Sequence, residues 1–194
     1  MNNYFNNIPL LQNTLLPYFY NEYPLKLLNK KFANLNYEKY NTHIQPHGIL
    51  ETYYIQTKTI QERIIYKNSV RYGLYELWYA SGQLNAQVHY KNGEADGLYY
   101  EWYLNGQLSE KSNWKNGILH GLYEEWFDNG LLFRKYNCID EERDGLYEEW
   151  YLNGQLKERS NWKNGKLDGL CEKWHNDGQL ITRKIYRNGK LDYL

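Results

Sequence analysis

Apolar and polar residues alternate along most of the chain after residue 48, and the same pattern returns every 24 residues. A representative unit reads Gly-Leu-Tyr-Glu-Glu-Trp-Tyr-Leu-Asn-Gly-Gln-Leu and closes with Trp-Lys-Asn-Gly. The opening glycines delimit six units: 48–72, 73–96, 97–120, 121–144, 145–168 and 169–194. The first unit is one residue longer than the period. A fixed period of this length is typical of repeat proteins, so the sequence predicts an array of structural units.

Two Asn-Gly dipeptides recur inside the unit, for example at 105–106 and 116–117. Asn and Gly both tolerate the positive φ that a two-residue hairpin turn requires. Two turns in 24 residues leave room for two strands, so each unit is predicted to be a β-hairpin joined to the next by another hairpin. Asp140-Glu141 replaces Asn-Gly once and is the exception in the pattern.

The register of the first turn has two readings. A two-residue loop at Asn153-Gly154 sets three pairs across the hairpin: Trp150 with Lys157, Glu148 with Arg159, and Glu149 with Glu158. A three-residue loop would instead set Trp150 beside Leu156. The two-residue reading is preferred because it brings opposite charges together at one pair, although it opposes two carboxylates at another.

This register divides the side chains of the fifth unit between the two faces of the sheet. Tyr147, Tyr151, Leu156 and Trp162 share one face, and Leu146, Trp150 and a row of Lys and Arg share the other. Equivalent residues of successive units then form two aromatic ladders: Trp78, Trp102, Trp126, Trp150 and Trp174 in one, and Tyr90, Trp114, Tyr136, Trp162 and Tyr186 in the other. Glycines such as Gly121 and Gly145 fall mid-strand, where they predict either a β-bulge or the close approach of an aromatic ring.

A single-layer sheet cannot bury both of its faces, so one aromatic row is predicted to stay half exposed and to offer a strip to a partner. The residues of this predicted interaction strip are Tyr99, Tyr103, Tyr123, Phe127, Phe133, Tyr147 and Tyr151. The fourth unit departs from the consensus between Leu131 and Glu142. Such departures either mark a specific contact or are drift without selection.

Two runs carry a resemblance to a known family: Trp114-Lys-Asn-Gly-Ile-Leu-His-Gly-Leu-Tyr-Glu-Glu-Trp and Trp162-Lys-Asn-Gly-Lys-Leu-Asp-Gly-Leu. They resemble MORN repeats, in the longer variant found in bacterial antitoxin-like proteins and in large-virus proteins, over about residues 48–194. The resemblance implies a mainly β fold, an elongated single-layer antiparallel sheet of repeated hairpins. It also implies a scaffold for protein or lipid contact without catalytic residues.

Residues 1–45 lack the turn signals, and Leu25, Leu28, Phe32 and Leu35 keep helical spacing. A small α-helical N-terminal segment of two or three short helices is predicted. The string from Ile8 to Leu16, followed by residues 28–35, is similar to a shortened F-box, which implies contact with a Skp-type adaptor. Pro17 departs from that pattern because it would break the first helix. The alternative is a helical cap over the first edge of the sheet.

Lys and Arg number 23, and so do Asp and Glu. Because the formal net charge is zero, the chain is not expected to bind nucleic acid, and binding to a membrane is not favoured. No apolar run approaches the ~20 residues of a membrane span and no leader pattern is present, so an intracellular, cytoplasmic location is predicted. Cys138 and Cys171 sit at different repeat positions and are read as free thiols.

No catalytic, metal or cofactor site is predicted. Paired carboxylates such as Glu124-Glu125 and Glu148-Glu149 point to opposite faces of a strand and recur with the array, which favours ion pairing over acid-base chemistry. Five histidines share no ligand spacing. The predicted function is a non-enzymatic scaffold for protein interaction that recruits a target to a ubiquitin-ligase adaptor if the F-box is real. Alternatives are a lipid-binding module and an antitoxin-like neutralising protein.

The last residues, Leu191-Asp-Tyr-Leu, fall where another unit would begin, with Tyr193 in the position of the opening glycine. An open strand edge at this place is a template for pairing with another chain. The sequence therefore also predicts an edge-to-edge homodimer.

Overall fold

The computed structural model describes residues 48–193, which form thirteen β-strands. The strands are β1 Gly48–Tyr53, β2 Ile60–Lys67, β3 Val70–Trp78, β4 Leu84–Lys91, β5 Glu94–Trp102, β6 Leu108–Lys115, β7 Ile118–Trp126, β8 Leu132–Ile139, β9 Glu142–Trp150, β10 Leu156–Lys163, β11 Lys166–Trp174, β12 Leu180–Arg187 and β13 Lys190–Leu191. They form one antiparallel sheet in which neighbours in the chain are neighbours in the sheet. This confirms the predicted hairpin array. The predicted helical cap and F-box-like segment lie outside the described residues.

The second turn of each unit, at Asn116-Gly117 and its equivalents, is the predicted two-residue turn. Asn116 has φ 49° and Gly117 has φ 77°, and the flanking residues Lys115 and Ile118 pair directly. Asp140 and Glu141 adopt the same geometry, with φ 49° and 70°. The exception in the sequence is thus regular in the backbone, and Glu141 holds a conformation that glycine adopts at lower cost.

From the second unit onward the first turn contains three residues, so the preferred register is wrong at Trp150, which pairs with Leu156. The Tyr151 N–H donates to the Gln155 carbonyl at 2.8 Å, and of the loop residues only Gly154 has positive φ. The Gln155 N–H also donates to the Asn153 side-chain oxygen at 3.1 Å. The asparagine therefore stabilises a turn of the three-residue class, which ends in a left-handed glycine.

A β-bulge at Lys157 restores the remaining predicted pairs. Beyond it, Glu158 lies opposite Glu149 and Arg159 opposite Glu148, as the two-residue reading proposed. Leu156 consequently shares a face with Trp150 and not with Tyr147, which corrects the predicted division of side chains. The bulge accommodates one extra residue without shifting the rest of the strand.

A second bulge lies at the glycine that opens each unit, as predicted. Ser112 pairs with Tyr123 and Trp114 with Leu119, so three residues of β7 lie opposite one residue of β6. Gly121, in the middle of the three, has φ 106°, and a Cβ there would lie 2.9 Å from the Asn113 side-chain nitrogen. Backbone conformation and space both favour glycine at this position.

The two faces of the sheet are buried to different extents. The tyrosine face carries a buried row formed by Tyr75, Tyr99, Tyr123 and Tyr147. The leucine face carries an exposed row formed by Leu98, Leu122 and Leu146, together with the tryptophan ladder that begins at Trp78. The buried row and its neighbours take the place of a core in this single layer.

One member of the second predicted ladder is wrong. The residues opposite the opening glycines are Tyr90, Trp114, Cys138, Trp162 and Tyr186. Tyr136 lies two residues away, at the position that Ser112 and Ser160 occupy in the neighbouring units. The fourth unit has therefore exchanged a large and a small side chain between two adjacent sites on the same face.

Candidate interaction surface

The predicted interaction strip separates into a buried and an accessible part. Tyr99, Tyr123 and Tyr147 are buried, with Tyr99 only 3% exposed. Tyr103, Phe127, Phe133 and Tyr151 are partly exposed and lie at or beside the first turns. Only this second group presents aromatic surface to a partner, so any contact through the strip is confined to the turn edge of the tyrosine face.

Ring stacking and hydroxyl hydrogen bonds hold the buried tyrosines. Tyr123 stacks on Tyr136 with ring centroids 4.7 Å apart, and Tyr136 lies 5.8 Å from Tyr147. The Tyr123 hydroxyl lies 3.1 Å from a Glu110 oxygen and 3.0 Å from a Glu125 oxygen. Each buried hydroxyl thus has an acceptor, and the row is a packed structural element.

A row of carboxylates runs beside these tyrosines. Glu101, Glu110 and Glu125 lie directly opposite one another on three neighbouring strands. Burial, reinforced by the negative charges of Glu101 and Glu125, raises the pKa of Glu110 to about 6. Arg134 forms an ion pair with Glu125. Within residues 48–193, no group of acidic, His or Cys side chains has the arrangement of a metal site.

Polar side chains at the first turns join each unit to the next. The hydroxyls of Tyr79, Tyr103 and Tyr151 donate to the carbonyls of Trp102, Trp126 and Trp174, at 2.7–2.9 Å. Asn105 and Asn153 donate to turn carbonyls of the following units, at 2.6 and 2.7 Å. The Gln83 amide donates to the Tyr103 carbonyl at 3.1 Å. We call these inter-turn hydrogen bonds the turn clips.

The fourth unit replaces clip-forming residues with apolar ones. Phe127 stands at the tyrosine position, and Leu131 stands where units two, three, five and six have glutamine. Phe133 follows at the bulge position, and its ring lies 4.8 Å from that of Phe127. We call Phe127, Leu131 and Phe133 the apolar turn patch. On the turn edge it is flanked by Leu104 and Leu152, which are 61% and 58% exposed.

The interior departures of the same unit compensate one another. In the third and fifth units the Trp114 and Trp162 indoles donate to Ser112 and Ser160, both at 2.9 Å. In the fourth unit Tyr136 and Cys138 occupy these two sites. The Arg143 guanidinium lies 5.1, 4.5 and 4.9 Å from the rings of Tyr136, Tyr147 and Trp162. Cation–π contacts thus replace the indole packing.

The profile of a family described as MORN repeat variant matches residues 71–92, 95–116 and 143–164. Three stretches of the chain thus match MORN repeats of this variant, which supports the resemblance over those residues. The matches do not distinguish antitoxin-like from large-virus proteins, and none falls on residues 1–45. The stretch between the second and third matches contains the apolar turn patch and the Asp140-Glu141 turn.

A comparison with curated proteins finds no match. Among solved structures, the crystal structure of TarM is similar at 13% sequence identity, with a TM-score of 0.35. That match covers 64% of this chain and 24% of TarM, so the chain spans about a quarter of that structure.

Proposed function

We propose that this MORN-repeat array is a non-enzymatic scaffold that binds a protein partner through the apolar turn patch. The observation that supports this is local. Phe127, Leu131 and Phe133 replace polar side chains together at one turn of an edge that is otherwise held by hydrogen bonds. MORN repeats are in general protein- or lipid-binding modules without enzymatic activity.

Energetics distinguish this patch from the interior departures. Losing a tyrosine hydroxyl removes a clip to the next unit, which costs about 1 kcal/mol, and the Phe127–Phe133 contact offsets only part of that loss. Aromatic residues, Phe among them, are enriched at the cores of protein interfaces. The patch therefore has the character of a binding anchor retained at a cost to the array.

The charges beside the patch indicate the chemistry of the partner. Glu101 on β5 and Glu110 on β6 lie in one row with Glu125 on β7, the strand that leads into the patch, and burial raises the pKa of Glu101 and Glu110. Arg134 is paired with Glu125. A partner segment that combines an apolar side chain with Lys or Arg would satisfy both surfaces.

The test gives the three patch positions the residues that the third unit has there, Tyr103, Gln107 and Ser109. In the Phe127→Tyr, Leu131→Gln, Phe133→Ser variant, the clips can form and the stability should equal or exceed that of the wild type. Affinity purification with quantitative mass spectrometry identifies the proteins that bind the wild type. The variant should capture at least about tenfold less of those proteins. Tyr151→Phe is the matched control, since it removes a clip and leaves the patch intact. Equal recovery by the restored variant would refute the proposal.

Recruitment of a target to a ubiquitin-ligase adaptor is a finer proposal that depends on residues 1–45. Its support is the similarity of residues 8–16 and 28–35 to an F-box. The full chain should copurify a Skp-type adaptor, and Leu10→Lys with Leu11→Lys should abolish this. If no adaptor is recovered, the recruiting role is lost while the scaffold is unaffected.

Two further partner classes are outcomes of the same experiments. Residues 48–193 contain no helix that could cross a bilayer. Flotation of the full chain with anionic liposomes at low salt would favour the lipid-binding alternative, against which the zero net charge counts. A toxin encoded beside the gene and recovered with the wild type would favour an antitoxin-like role.

A further inference from the structure

Within the part of the chain that the structure describes, the sheet ends in two outer strands. On one side, β13 pairs with β12 only through Tyr186 and Arg187, and the Asp192 N–H adds one bond to the Ile185 carbonyl at 2.8 Å. Tyr193 leaves the sheet and is 86% exposed. The outer side of β12 from Leu180 to Lys184 therefore has no neighbour among the described residues. On the other side, the outer edge of β1 likewise pairs with no strand within residues 48–193.

These two edges are complementary parts of one repeat strand. The complete strand β9 contains nine residues: Glu142 and Arg143 follow the second turn, Asp144 comes next, and the last six, Gly145–Trp150, begin at the bulge glycine. β13 supplies the equivalents of the first two residues, and Asp192 supplies the third. β1 begins at a bulge glycine with φ 125° and supplies the equivalents of the last six.

We propose that β1 of a second copy pairs with the free outer edge of β12, collinear with β13, so that copies join head to tail. The repeat fixes the register, because Arg134, Lys135 and Tyr136 pair with Glu149, Glu148 and Tyr147 at the equivalent place. The expected intermolecular pairs are Thr182 with Thr52, Arg183 with Glu51, and Lys184 with Leu50.

The charges at this junction fit the pattern inside the array. There, Glu124 lies between two cations, 3.7 Å from Lys111 and 2.9 Å from Lys135. Glu51 has Arg63 on its inner side at 2.8 Å, and Arg183 has Glu172 on its inner side at 2.7 Å. Joining two copies would place each carboxylate and guanidinium between two opposite charges.

Apolar surface points to the same pairing. Ile49 and Ile185 are both exposed on the leucine face, and the proposed register makes them neighbours. Pairing of β12 with another β12 would instead bring Arg183 and Lys184 close to their own copies, where like charges repel. The complementary edge is therefore β1, and the resulting contact is heterologous.

A heterologous contact leaves a free edge at each end of every complex, so association continues beyond the dimer into rings or open chains. Sedimentation velocity of the full chain should accordingly show a series of oligomers that grows with concentration. A single monomeric species, or an equilibrium that stops at a dimer, would overturn the proposal.

Cysteine cross-linking tests the register. Thr52→Cys combined with Thr182→Cys in one chain should give a ladder of disulfide-linked oligomers under mild oxidation, because paired positions meet the ~4 Å Cβ separation that a disulfide needs. Mixing the two single variants should give dimers alone. Thr52→Cys with Ile185→Cys, which is out of register, is the control. Equal ladders from both double variants would contradict the proposed pairing.

Charge exchange tests the same contact without oxidation. Glu51→Arg and Arg183→Glu should each lower the association constant about threefold. Mixing the two variants should restore it, because both junctions between unlike copies carry opposite charges. Each substitution also places a like charge beside Arg63 or Glu172 of the same chain, and mixing cannot relieve that repulsion. An association constant that stays low in the mixture therefore refutes the contact. These readouts are independent of the apolar turn patch.

Discussion

The fourth and fifth units share one backbone and differ in how their side chains stabilise it. In the fifth unit the Trp162 indole donates a hydrogen bond to Ser160, Tyr151 forms a clip, and the second turn is Asn-Gly. The fourth unit uses Tyr136, Cys138 and Arg143 in the interior, has no tyrosine clip, and turns through Asp140-Glu141. The backbone of this array thus depends on bulges and turns more than on any one side-chain set. Because the backbone tolerates different side-chain sets, a change that loses a contact without replacing it, as at the apolar turn patch, says more about function than one that is compensated.

The largest effect should come from breaking the size exchange in the interior. Tyr136→Ser removes a ring that contacts Tyr123 and Tyr147 beside the small Cys138, and should lower the free energy of unfolding by about 3–4 kcal/mol. Adding Cys138→Trp and Arg143→Leu rebuilds the set found in the fifth unit and should recover most of the loss. Urea denaturation measures both. Failure of the triple variant to recover would show that the two units are not interchangeable.

Glu110 in the third unit and Glu149 in the fifth should have opposite, pH-dependent effects on the free energy of unfolding, smaller than the effect of Tyr136→Ser. Burial, then Glu101 and Glu125, raise the pKa of Glu110 to about 6 from a usual 4.5. Between these values the folded chain holds more protons than the unfolded chain, so the free energy of unfolding falls as the pH rises. At about pH 8, Glu110→Gln should therefore stabilise the protein by up to about 2 kcal/mol, with little gain near pH 4.

Glu149 is the matched control for this prediction. Burial alone would raise its pKa, but hydrogen bonds from Lys157 and Tyr147 outweigh burial and lower it. A lowered carboxyl pKa contributes stability at neutral pH that is lost as the pH falls through the folded-state value. Glu149→Gln should consequently destabilise at about pH 8, opposite in sign to Glu110→Gln. The same sign for both variants would contradict the described environments.

The second turns should differ by the cost of a side chain at positive φ. Glu141→Gly should raise the free energy of unfolding by about 1 kcal/mol, because glycine adopts the φ of 70° with less strain. Gly165→Glu makes the reverse change in the fifth unit and should lower it by a similar amount. Thermal unfolding is a sufficient measurement. No change in either variant would mean that the turn tolerates both residues equally.

The clips should have an effect no larger than that of the second turns. Tyr151→Phe removes the bond to the Trp174 carbonyl and should cost about 1 kcal/mol, whereas Phe127→Tyr can donate to the Trp150 carbonyl and should gain no more than that. Native-state hydrogen exchange can localise both effects to the affected turns. A loss on Phe127→Tyr would show that the apolar patch also serves the fold.

The array itself could be predicted from sequence because its signals repeat. Spacing gave the units, and Asn-Gly pairs gave the hairpins, but Asn153-Gly154 suits both a two-residue and a three-residue loop. The choice depends on a side-chain hydrogen bond that no spacing shows. Counting 17 residues from each opening glycine would have placed Cys138, and not Tyr136, in the ladder.

The accessible part of the surface was harder to predict. Phe127 and Phe133 were identified as aromatic residues of the strip, but so were Tyr99, Tyr123 and Tyr147, which the sheet buries. Alternation assigns a residue to a face and does not say how deeply its neighbours cover it. Leu131 is informative because Gln83, at the same position of the second unit, donates a hydrogen bond to the Tyr103 carbonyl of the next turn. The sequence does not show that contact.

Every strand in the sheet pairs only with the strands before and after it in the chain. A whole unit can therefore be gained or lost by recombination between copies, and the two new neighbours meet in a register that already exists elsewhere in the array. A single added residue can be absorbed at a first turn, as the longer loop between Tyr54 and Thr59 shows. Length is thus a trait that this gene can change in steps of 24 residues without inventing a new contact.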